Sequence, residues 1–404
     1  MEQVLRKIIN DPVYGFITIN DPLIFRLMAQ PVYERLRRIQ QMAMAQLVYP
    51  GAVHTRLHHS LGAYHLMCQA VAELRLKGID ISTEEESAVK AAILLHDIGH
   101  GPFSHALEYT LVPGVHHESL SLQIMQQLNA ALDGALTLAI DIFTNKYSKP
   151  FLHQLISGQL DMDRMDYLTR DSFFTGVSEG VIGYARILKM LQVHNGQLMV
   201  EEKGIYSVEK FLVARRQMYW QVYLHKTVLA SEKMLVKILE RVRELYPTCS
   251  KELSIYQPLD FFFNGFTGEM TIEALENFCK LDDTDILFAV KKWAAFPDKI
   301  LSILCTSLLN RKLYKTRLQT KPFDEKEIII AEKEIMTKYD IEMKNLHYFV
   351  FSGETANTTY TPEHERILII FKNGIVKNIA DIDNPLIHQT LSMPVKKFYI
   401  CQLK

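Results

Sequence analysis

Apolar residues recur every three or four positions through most of the first half of the chain, which is the spacing of one buried helix face. The pattern predicts helices over residues 23–46, 60–77, 83–95, 119–132 and 149–155. Proline and glycine between these segments mark turns or helix ends. We therefore expect this half to be helical throughout.

A β-hairpin interrupts the helical pattern near residue 195. Two short runs, residues 190–194 and 197–201, flank Asn195-Gly196. This dipeptide favours a type I′ turn, since both of its residues tolerate positive φ. After the hairpin, one long helix should run from Ser207, as its N-cap, to about Tyr246.

Further helices are predicted over residues 272–280 and 284–295. The last quarter changes character after one more predicted helix, over residues 325–336. Runs of β-branched and aromatic residues, which favour strands, occupy residues 348–352, 367–372 and 396–401. We expect a mainly α protein, in which a helical core with a small β-hairpin (residues 1–250) precedes a smaller helical and then α+β region (residues 251–404).

Composition narrows the class of protein. The 404 residues are 48% hydrophobic and 23% charged, with a formal net charge of -1, which argues against extended disorder and against nucleic acid as a partner. No apolar run approaches the length of a bilayer span, and the first residues lack the apolar stretch of an export signal. Five cysteines without a CxxC pair suggest neither disulfides nor a thiolate metal site. We expect a cytoplasmic protein with no membrane contact.

Histidine is the informative residue type. Nine of the fifteen histidines lie between residues 54 and 117, far more than even spacing would place there. A single histidine is more often a surface or core residue than a ligand, and this interpretation suits His54, His65 and His116 taken one at a time. The excess as a whole requires a site.

The strongest candidate for that site is His96-Asp97, which follows the apolar Leu94-Leu95 and precedes Gly99. Burying an imidazole and a carboxylate at a helix end is costly unless they are paired or bind a cation, so a divalent metal is the simplest explanation. His59 and Asp163 complete a set of two imidazoles and two carboxylates. Such a set suits Mn²⁺, Fe²⁺ or Zn²⁺ and leaves coordination positions open for water and a phosphate oxygen.

A second polar group lies on the helix that carries Asp163. At 100° per residue, Asp163, Arg164, Tyr167 and Asp171 fall in one quadrant of that helix. An exposed amphipathic face would give the same spacing, but apolar residues flank this quadrant on both sides. Arg215 and Tyr223 share a face of the later helix, which taken alone is a weak signal.

Six ordered blocks, from about Lys7 to about Lys226, carry a family resemblance. They are RLRRIQQM, YPGAVHTRLHHSLG, LLHDIGHGPFSH, HHES, DMDRMDYLTRDSFFTGV and YLHKTV. His59, His96-Asp97 and Asp163 resemble the H...HD...D signature of the HD phosphohydrolase superfamily. The surrounding blocks are most similar to its deoxynucleoside triphosphate triphosphohydrolases. Similarity fades beyond about residue 250.

The resemblance implies a role for each matching residue. One divalent metal per active site, with Mn or Fe favoured and Zn, Ni or Mg as alternatives, would be bound by His59, His96, Asp97 and Asp163. The triphosphate would be held by Arg56, Arg164, Tyr167 and Arg215. The α-phosphate would be lined by His100, His105 and His117, which Glu108 and Glu118 orient. The sugar would meet Gln41 and Asp171 at its 3′-OH and Met42 and Tyr223 at its 2′ position.

The resemblance further implies hydrolysis of a deoxynucleoside triphosphate to deoxynucleoside and tripolyphosphate, a nucleotide effector, and assembly into a homodimer or homotetramer. Two alternatives stay open. One is an HD-type phosphohydrolase of another phosphoester, such as a nucleoside monophosphate or a signalling nucleotide. The other is a non-catalytic protein that binds nucleotides or nucleic acid.

Overall fold

Helices form most of the chain in the computed structural model, which describes residues 6–357, 366–382 and 395–404. The helices of the first part are α1 Pro22–Met28, α2 Pro31–Glu34, α3 Arg56–Leu76, α4 Thr83–Leu95, α5 Glu108–Leu111, α6 His117–Ala131, α7 Thr137–Phe143, α8 Pro150–Gln154, α9 Met162–Thr175, α10 Tyr184–Met190, α11 Ile205–Met218 and α12 Lys226–Leu253. Those of the second part are α13 Gln257–Phe263, α14 Ile272–Phe278, α15 Asp283–Trp293, α16 Lys299–Leu309 and α17 Glu325–Tyr339.

The strands form three small sheets. Their bounds are β1 Lys7–Asp11, β2 Gly15–Ile19, β3 Leu191–His194, β4 Gln197–Glu201, β5 Lys315–Gln319, β6 Val350–Asn357, β7 Leu368–Ile370, β8 Val376–Asn378 and β9 Val395–Gln402. The sheet orders are β1-β2, β3-β4-β7-β8 and β5-β9-β6. The predicted fold class, mainly α with a C-terminal α+β region, is confirmed.

Local signals explain where the helices around the site begin and end. Ser82 accepts from the backbone N–H of Glu85, whose side chain accepts from Ser82 in return, so a capping box begins α4. Asp161 caps α9 by accepting from the backbone N–H of Arg164. Gly176, at φ 72°, ends α9 in the left-handed conformation that glycine adopts without strain.

The predicted hairpin at residue 195 is present and belongs to a larger sheet. Asn195 and Gly196 have φ values of 51° and 74°, as a type I′ turn requires. Strand β4 then pairs in parallel with β7, with Val200 opposite Ile369. The C-terminal region therefore extends a sheet that the first half begins.

The expectation of an all-helical first half is wrong at the N-terminus. Strands β1 and β2 pair in antiparallel register from Lys7 opposite Ile19 to Asp11 opposite Gly15. The predicted helix over 23–46 is also broken, because Pro31 begins a new short helix after α1. Beyond α2 the chain continues in 3₁₀ turns at 35–38 and 45–47.

The long helix predicted from Ser207 is two helices. Helix α11 begins after Gly204 rather than at Ser207, and a π-helical turn over Tyr219–Tyr223 separates α11 from α12. Helix α12 passes Pro247 and ends at Leu253, with a kink at Cys249. The boundary predicted at residue 250 falls in its last turn, so the division into two regions stays a prediction.

Two further observations concern the whole chain. Of the helices in the described ranges, none combines the length and the apolar composition that a bilayer crossing needs. All five cysteines are free. Residues 1–5, part of the segment considered for an export signal, lie outside the described residues.

Arg35 joins the first part of the fold to the second. Its side chain is 1% exposed and donates to the carbonyls of Ile98 at 2.8 Å, His100 at 3.0 Å and Leu281 at 3.0 Å. Its guanidinium lies 5.1 Å from the ring centroid of Phe278. One buried cation thus fixes the loop after His96-Asp97 against the segment between α14 and α15.

We expect Arg35→Ala to destabilise the protein by about 3 to 5 kcal/mol, since it leaves buried carbonyls without donors and opens a cavity. Thermal unfolding followed by circular dichroism measures the loss. Arg37→Ala is the matched control, because Arg37 is exposed and its ion pair among the described residues is with nearby Glu34. Its unfolding temperature should stay near that of the wild type. Equal unfolding temperatures for the two variants would contradict this account of Arg35.

Candidate active site

Three of the four predicted metal ligands meet in the core between α3, α4 and α9. The Nε2 atom of His59 lies 3.3 Å from Nε2 of His96 and 3.0 Å from Oδ1 of Asp163. His96 Nε2 and Asp163 Oδ1 are 3.5 Å apart. The fourth, Asp97, places one carboxylate oxygen 3.5 Å from His59 Nε2 and the other 3.4 Å from His96 Nε2.

The hydrogen bonds behind the two imidazoles show that this group fits a cation. His59 Nδ1 donates to Asp166 Oδ2 at 2.7 Å, and His96 Nδ1 donates to the carbonyl of Ile93 at 2.7 Å. With one ring proton committed at Nδ1, each imidazole turns its Nε2 toward the other, as metal-binding histidines do. Two buried lone pairs at this distance need a proton or a metal ion between them.

Charge around the group supports the same conclusion. Burial alone would lower the pKa of His59, but hydrogen bonds with the carboxylates of Asp163 and Asp166 raise it to about 10, so without a metal ion this ring carries a second proton at neutral pH. Burial would raise the pKa of Asp97, but His96, Arg56 and His59 lower it to about 2. The carboxylates of the site are therefore ionised and can bind a cation. Its donors, two imidazoles and two carboxylates, suit a borderline or hard divalent ion.

Close packing brings His96 and Asp97 to this place. Ser121 Oγ donates to the carbonyl of His96 at 2.7 Å and accepts from the backbone N–H of Gly99 at 3.0 Å. A Cβ on Gly99 would lie 2.2 Å from the carbonyl oxygen of His117. Only glycine lets α6 approach the loop so closely.

A second cluster contains His100, His105 and His117, whose ligand atoms all lie within 4.8 Å of one another. Glu108 holds two of these rings, since its Oε1 accepts from His117 Nδ1 at 2.8 Å and its Oε2 accepts from His105 Nδ1 at 3.0 Å. Both rings keep Nε2 free for a ligand. Glu118, predicted to share this task, is exposed on α6 and does not join the cluster.

The three histidines differ in their surroundings. His100 is 3% exposed, and burial, aided by the Arg56 guanidinium, holds its pKa well below the usual range. His105 is 66% exposed. Burial would raise the pKa of Glu108, but the hydrogen bonds from His105 and His117 lower it, so this carboxylate is ionised at neutral pH. His105 is thus an accessible imidazole beside a fixed anion.

One open cavity of about 330 Å³ connects the two clusters. Of the predicted site residues, those that line it are Gln41, Met42, Arg56, Asp97, His100, His105, His117, Asp163, Tyr167, Asp171 and Tyr223. Arg56 pairs with Asp97 and donates from Nε to Ser104 Oγ at 2.8 Å. The cavity therefore extends from Asp97 and Asp163, two of the predicted metal ligands, past the three clustered histidines to the residues predicted to contact a sugar.

Arg164 and Arg215, predicted to hold a triphosphate, do not line this cavity. Arg164 bonds instead to Asp161, which caps the same helix, and to the carbonyl of Gly158. Arg215 donates to Gln159 Oε1 at 2.9 Å. Helical spacing placed both cations on a suitable face, but it could not show that the segment before α9 binds them.

Three residues outside the predicted set of site residues, His54, Tyr219 and Glu232, shape the other end of the cavity. His54 bonds to Asp171 Oδ1 at 2.7 Å, while Tyr223 donates to Oδ2 of the same carboxylate at 2.7 Å. Tyr219 and Glu232 also line the cavity. His54 lies within the block YPGAVHTRLHHSLG but alone resembled a core histidine, and no sequence signal marked Glu232.

Comparison with known proteins gives the class of this site. Residues 56–171 match the HD domain and residues 182–264 match the HD associated region. An uncharacterised protein of Bacillus subtilis, YwfO, is 32% identical over 93% of this chain and 87% of its own length. The deoxynucleoside triphosphate triphosphohydrolase SAMHD1 of Gallus gallus is 27% identical over 80% of this chain and 58% of its own length.

A solved structure shows which known fold this chain shares. A phosphohydrolase from Bacteroides thetaiotaomicron superposes with a TM-score of 0.94 at 48% identity, covering 99% of this chain and 100% of that one. The fold and the site are those of an HD domain. The chain belongs to the HD-domain phosphohydrolase family, in its SAMHD1-like branch. The resemblance predicted from the six blocks is confirmed, and the findings support a metal-dependent phosphohydrolase.

We expect Mn²⁺ to raise the unfolding temperature of the metal-free protein by a few degrees, because a ligand at a hundredfold excess over its Kd stabilises the native state by about 2.7 kcal/mol. In His59→Gln the rise should disappear. His194→Gln, the same change at an exposed position of β3 away from the predicted metal ligands, should keep it. A rise of equal size in His59→Gln would place the ion elsewhere.

Proposed function

We propose that the protein hydrolyses deoxynucleoside triphosphates to deoxynucleoside and tripolyphosphate. The observation that carries the proposal is the position of Asp97 between the two clusters. Its carboxylate lies 3.5 Å from His59 Nε2 on one side and 3.5 Å from His100 Nε2 on the other. A phosphoryl group in the cavity would therefore meet the metal ligands and the histidine cluster together.

Each cluster suits one part of a phosphoryl transfer. A divalent ion held by His59, His96, Asp97 and Asp163 would activate water and offset charge on the phosphoryl oxygens. Arg56 adds a fixed cation at the same place. His105, accessible and held by Glu108, is placed to protonate the departing nucleoside oxygen, and the ionised carboxylate stabilises the imidazolium that precedes this step.

The far end of the cavity suits a deoxyribose. Gln41 has a buried Oε1 without a hydrogen-bond partner among the described residues, and such an acceptor would be satisfied by a substrate hydroxyl. Asp171 is fixed on both oxygens by His54 and Tyr223. The Tyr223 hydroxyl is committed to Asp171, so the position of its ring is fixed. Tyr223 and Met42 both line the cavity, and their bulk would leave little space for a 2′-hydroxyl.

One observation favours a second candidate, hydrolysis of a smaller phosphoester such as a nucleoside monophosphate. Among the described residues that line the cavity, Arg56 is the single arginine or lysine. A triphosphate spreads its charge over three phosphoryl groups and would be expected to recruit more cations. Arg164 and Arg215 would have to leave their present partners to supply them.

A product assay decides between the candidates. The protein with Mn²⁺ is incubated with each of the four dNTPs, singly and mixed, and with nucleoside monophosphates, and the products are separated by chromatography. We expect tripolyphosphate and deoxynucleoside from the wild type and neither from Asp97→Asn, which keeps the side-chain shape but loses the charge. Orthophosphate from monophosphates alone would favour the second candidate. No product from a metal-loaded wild type would contradict both.

The cavity also predicts a dependence on pH. Burial raises the pKa of Glu232 to about 7, so its carboxyl is neutral below that pH and negative above it. A negative wall repels an anionic substrate, and KM should therefore rise with pH between 6 and 8. In Glu232→Gln we expect KM at pH 8 to fall about fivefold, the effect of about 1 kcal/mol of repulsion.

The control is Glu240→Gln on the same helix, because Glu240 pairs with Lys237 and does not line the cavity. Its KM should follow the wild type at both pH values. Identical pH profiles for the wild type and Glu232→Gln would show that this carboxyl does not meet the substrate.

A further inference from the structure

A chain of buried hydrogen bonds extends away from the metal group behind His59. His59 Nδ1 donates to Asp166 Oδ2, and Arg170 donates to the same carboxylate from Nε to Oδ2 at 3.0 Å and from Nη2 to Oδ1 at 3.0 Å. Asp166 and Arg170 are both 0% exposed. The carboxylate that orients His59 is itself oriented by a two-pronged contact with an arginine.

The chain continues into the N-terminal hairpin. Arg170 Nη1 donates to Asp11 Oδ2 at 2.8 Å, and Asp11 is the last residue of β1. The other oxygen, Asp11 Oδ1, accepts from the backbone N–H groups of Val13 and Tyr14, both at 2.9 Å. Asp11 thus shapes the turn of the hairpin with one oxygen and holds Arg170 with the other.

The hairpin also shields this series of hydrogen bonds from solvent. The Arg170 guanidinium lies 5.4 Å from the ring centroid of Tyr14, and this ring stacks on His65 of α3 at 5.2 Å. On the opposite side there is no spare room, since a Cβ on Gly62 would lie 1.9 Å from Asp166 Oδ1 and 2.2 Å from Arg170 Nη2. The two charged groups are held between α3 and the hairpin.

We propose that the N-terminal hairpin is part of the metal centre, with Asp11 and Arg170 as positioning residues that hold His59 through the chain Asp11–Arg170–Asp166–His59. The inference rests on the proposed metal site and does not depend on which phosphoester is the substrate. Without the Asp11 carboxylate, Arg170 Nη1 is buried without an acceptor, and the guanidinium must shift or admit water. Either change makes the position of Asp166 less fixed, and with it the position of the His59 imidazole.

The proposal differs from a general effect on stability. A carboxylate that only stabilised the hairpin would change the unfolding temperature and leave the folded metal centre intact. A positioning residue changes the affinity of the folded protein for its ion, and partners outside the ligand set commonly alter metal affinity by about 10- to 100-fold. Metal affinity below the unfolding temperature therefore separates the two roles.

The test is a Mn²⁺ titration of the metal-stripped full-length protein at 10 °C, with free Mn²⁺ followed by electron paramagnetic resonance. We expect Asp11→Asn to weaken Mn²⁺ binding about tenfold. The matched control is Asp298→Asn, because Asp298 also binds an arginine with both oxygens, Arg241 at 2.6 and 3.1 Å, and lies outside the cavity. This control should lose stability and bind Mn²⁺ like the wild type.

A second variant keeps the test decisive if Asp11→Asn does not fold. Arg170→Lys keeps the charge but lacks the fork that bonds Asp166 and Asp11 together, and it should weaken Mn²⁺ binding by at least as much as Asp11→Asn. Wild-type affinity in a folded Asp11→Asn or Arg170→Lys protein would overturn the proposal, as would an equal loss in Asp298→Asn. Because no substrate is present, a failed product assay would leave these outcomes unchanged.

Discussion

Two imidazole nitrogens that lie 3.3 Å apart, each with the proton of its ring committed on the far side, are the constraint on which the rest of the site depends. In a buried place these two nitrogens need a proton or a metal ion beside them, and the neighbouring carboxylates favour that positive charge. The surrounding helices keep the two rings facing each other. His96 is held by the carbonyl of Ile93, one turn earlier in α4, and His59 by a carboxylate on α9.

Glycines allow the two rings to face each other, because they carry no side chain at places where neighbouring elements pack in direct contact. Gly62 lets α9 bring Asp166 and Arg170 against α3, and Gly99 lets α6 approach the loop that carries Asp97. In both places a methyl group would lie closer than 2.5 Å to its neighbour. Short contacts between opposite charges offset the free-energy cost of burying these groups. Such contacts need backbones that pack without intervening side chains.

The sequence predicted the chemistry of this site better than its framework. His96-Asp97 stood out because charged residues in apolar surroundings are informative by themselves. The roles predicted for His100, His105 and His117 came from the family resemblance. The hairpin β1–β2 was missed because its strands are short and the helical pattern follows at once. The resemblance implied that Arg164 and Arg215 hold the substrate, and periodicity could not show their neighbours in this fold, because it gives the face of a helix but not what this face meets. The role of Asp166 and Arg170 depends on contacts with β1 and α3, which no local pattern contains.

The second half of the chain takes part in the same framework. Asp283, at the start of α15, accepts from the backbone N–H of Gln40 at 2.8 Å and from that of Phe103 at 2.7 Å. These two residues adjoin Gln41 and Ser104, which line the cavity. Lys397 of β9 lies 4.0 Å from the ring centroid of Trp220, inside the π-helical turn that carries Tyr219 and Tyr223. The C-terminal region therefore contacts the π-helical turn whose tyrosines line the cavity, and such turns are frequent at functional sites. Residues beyond 250 therefore help to position the site, although they contribute none of the predicted metal ligands.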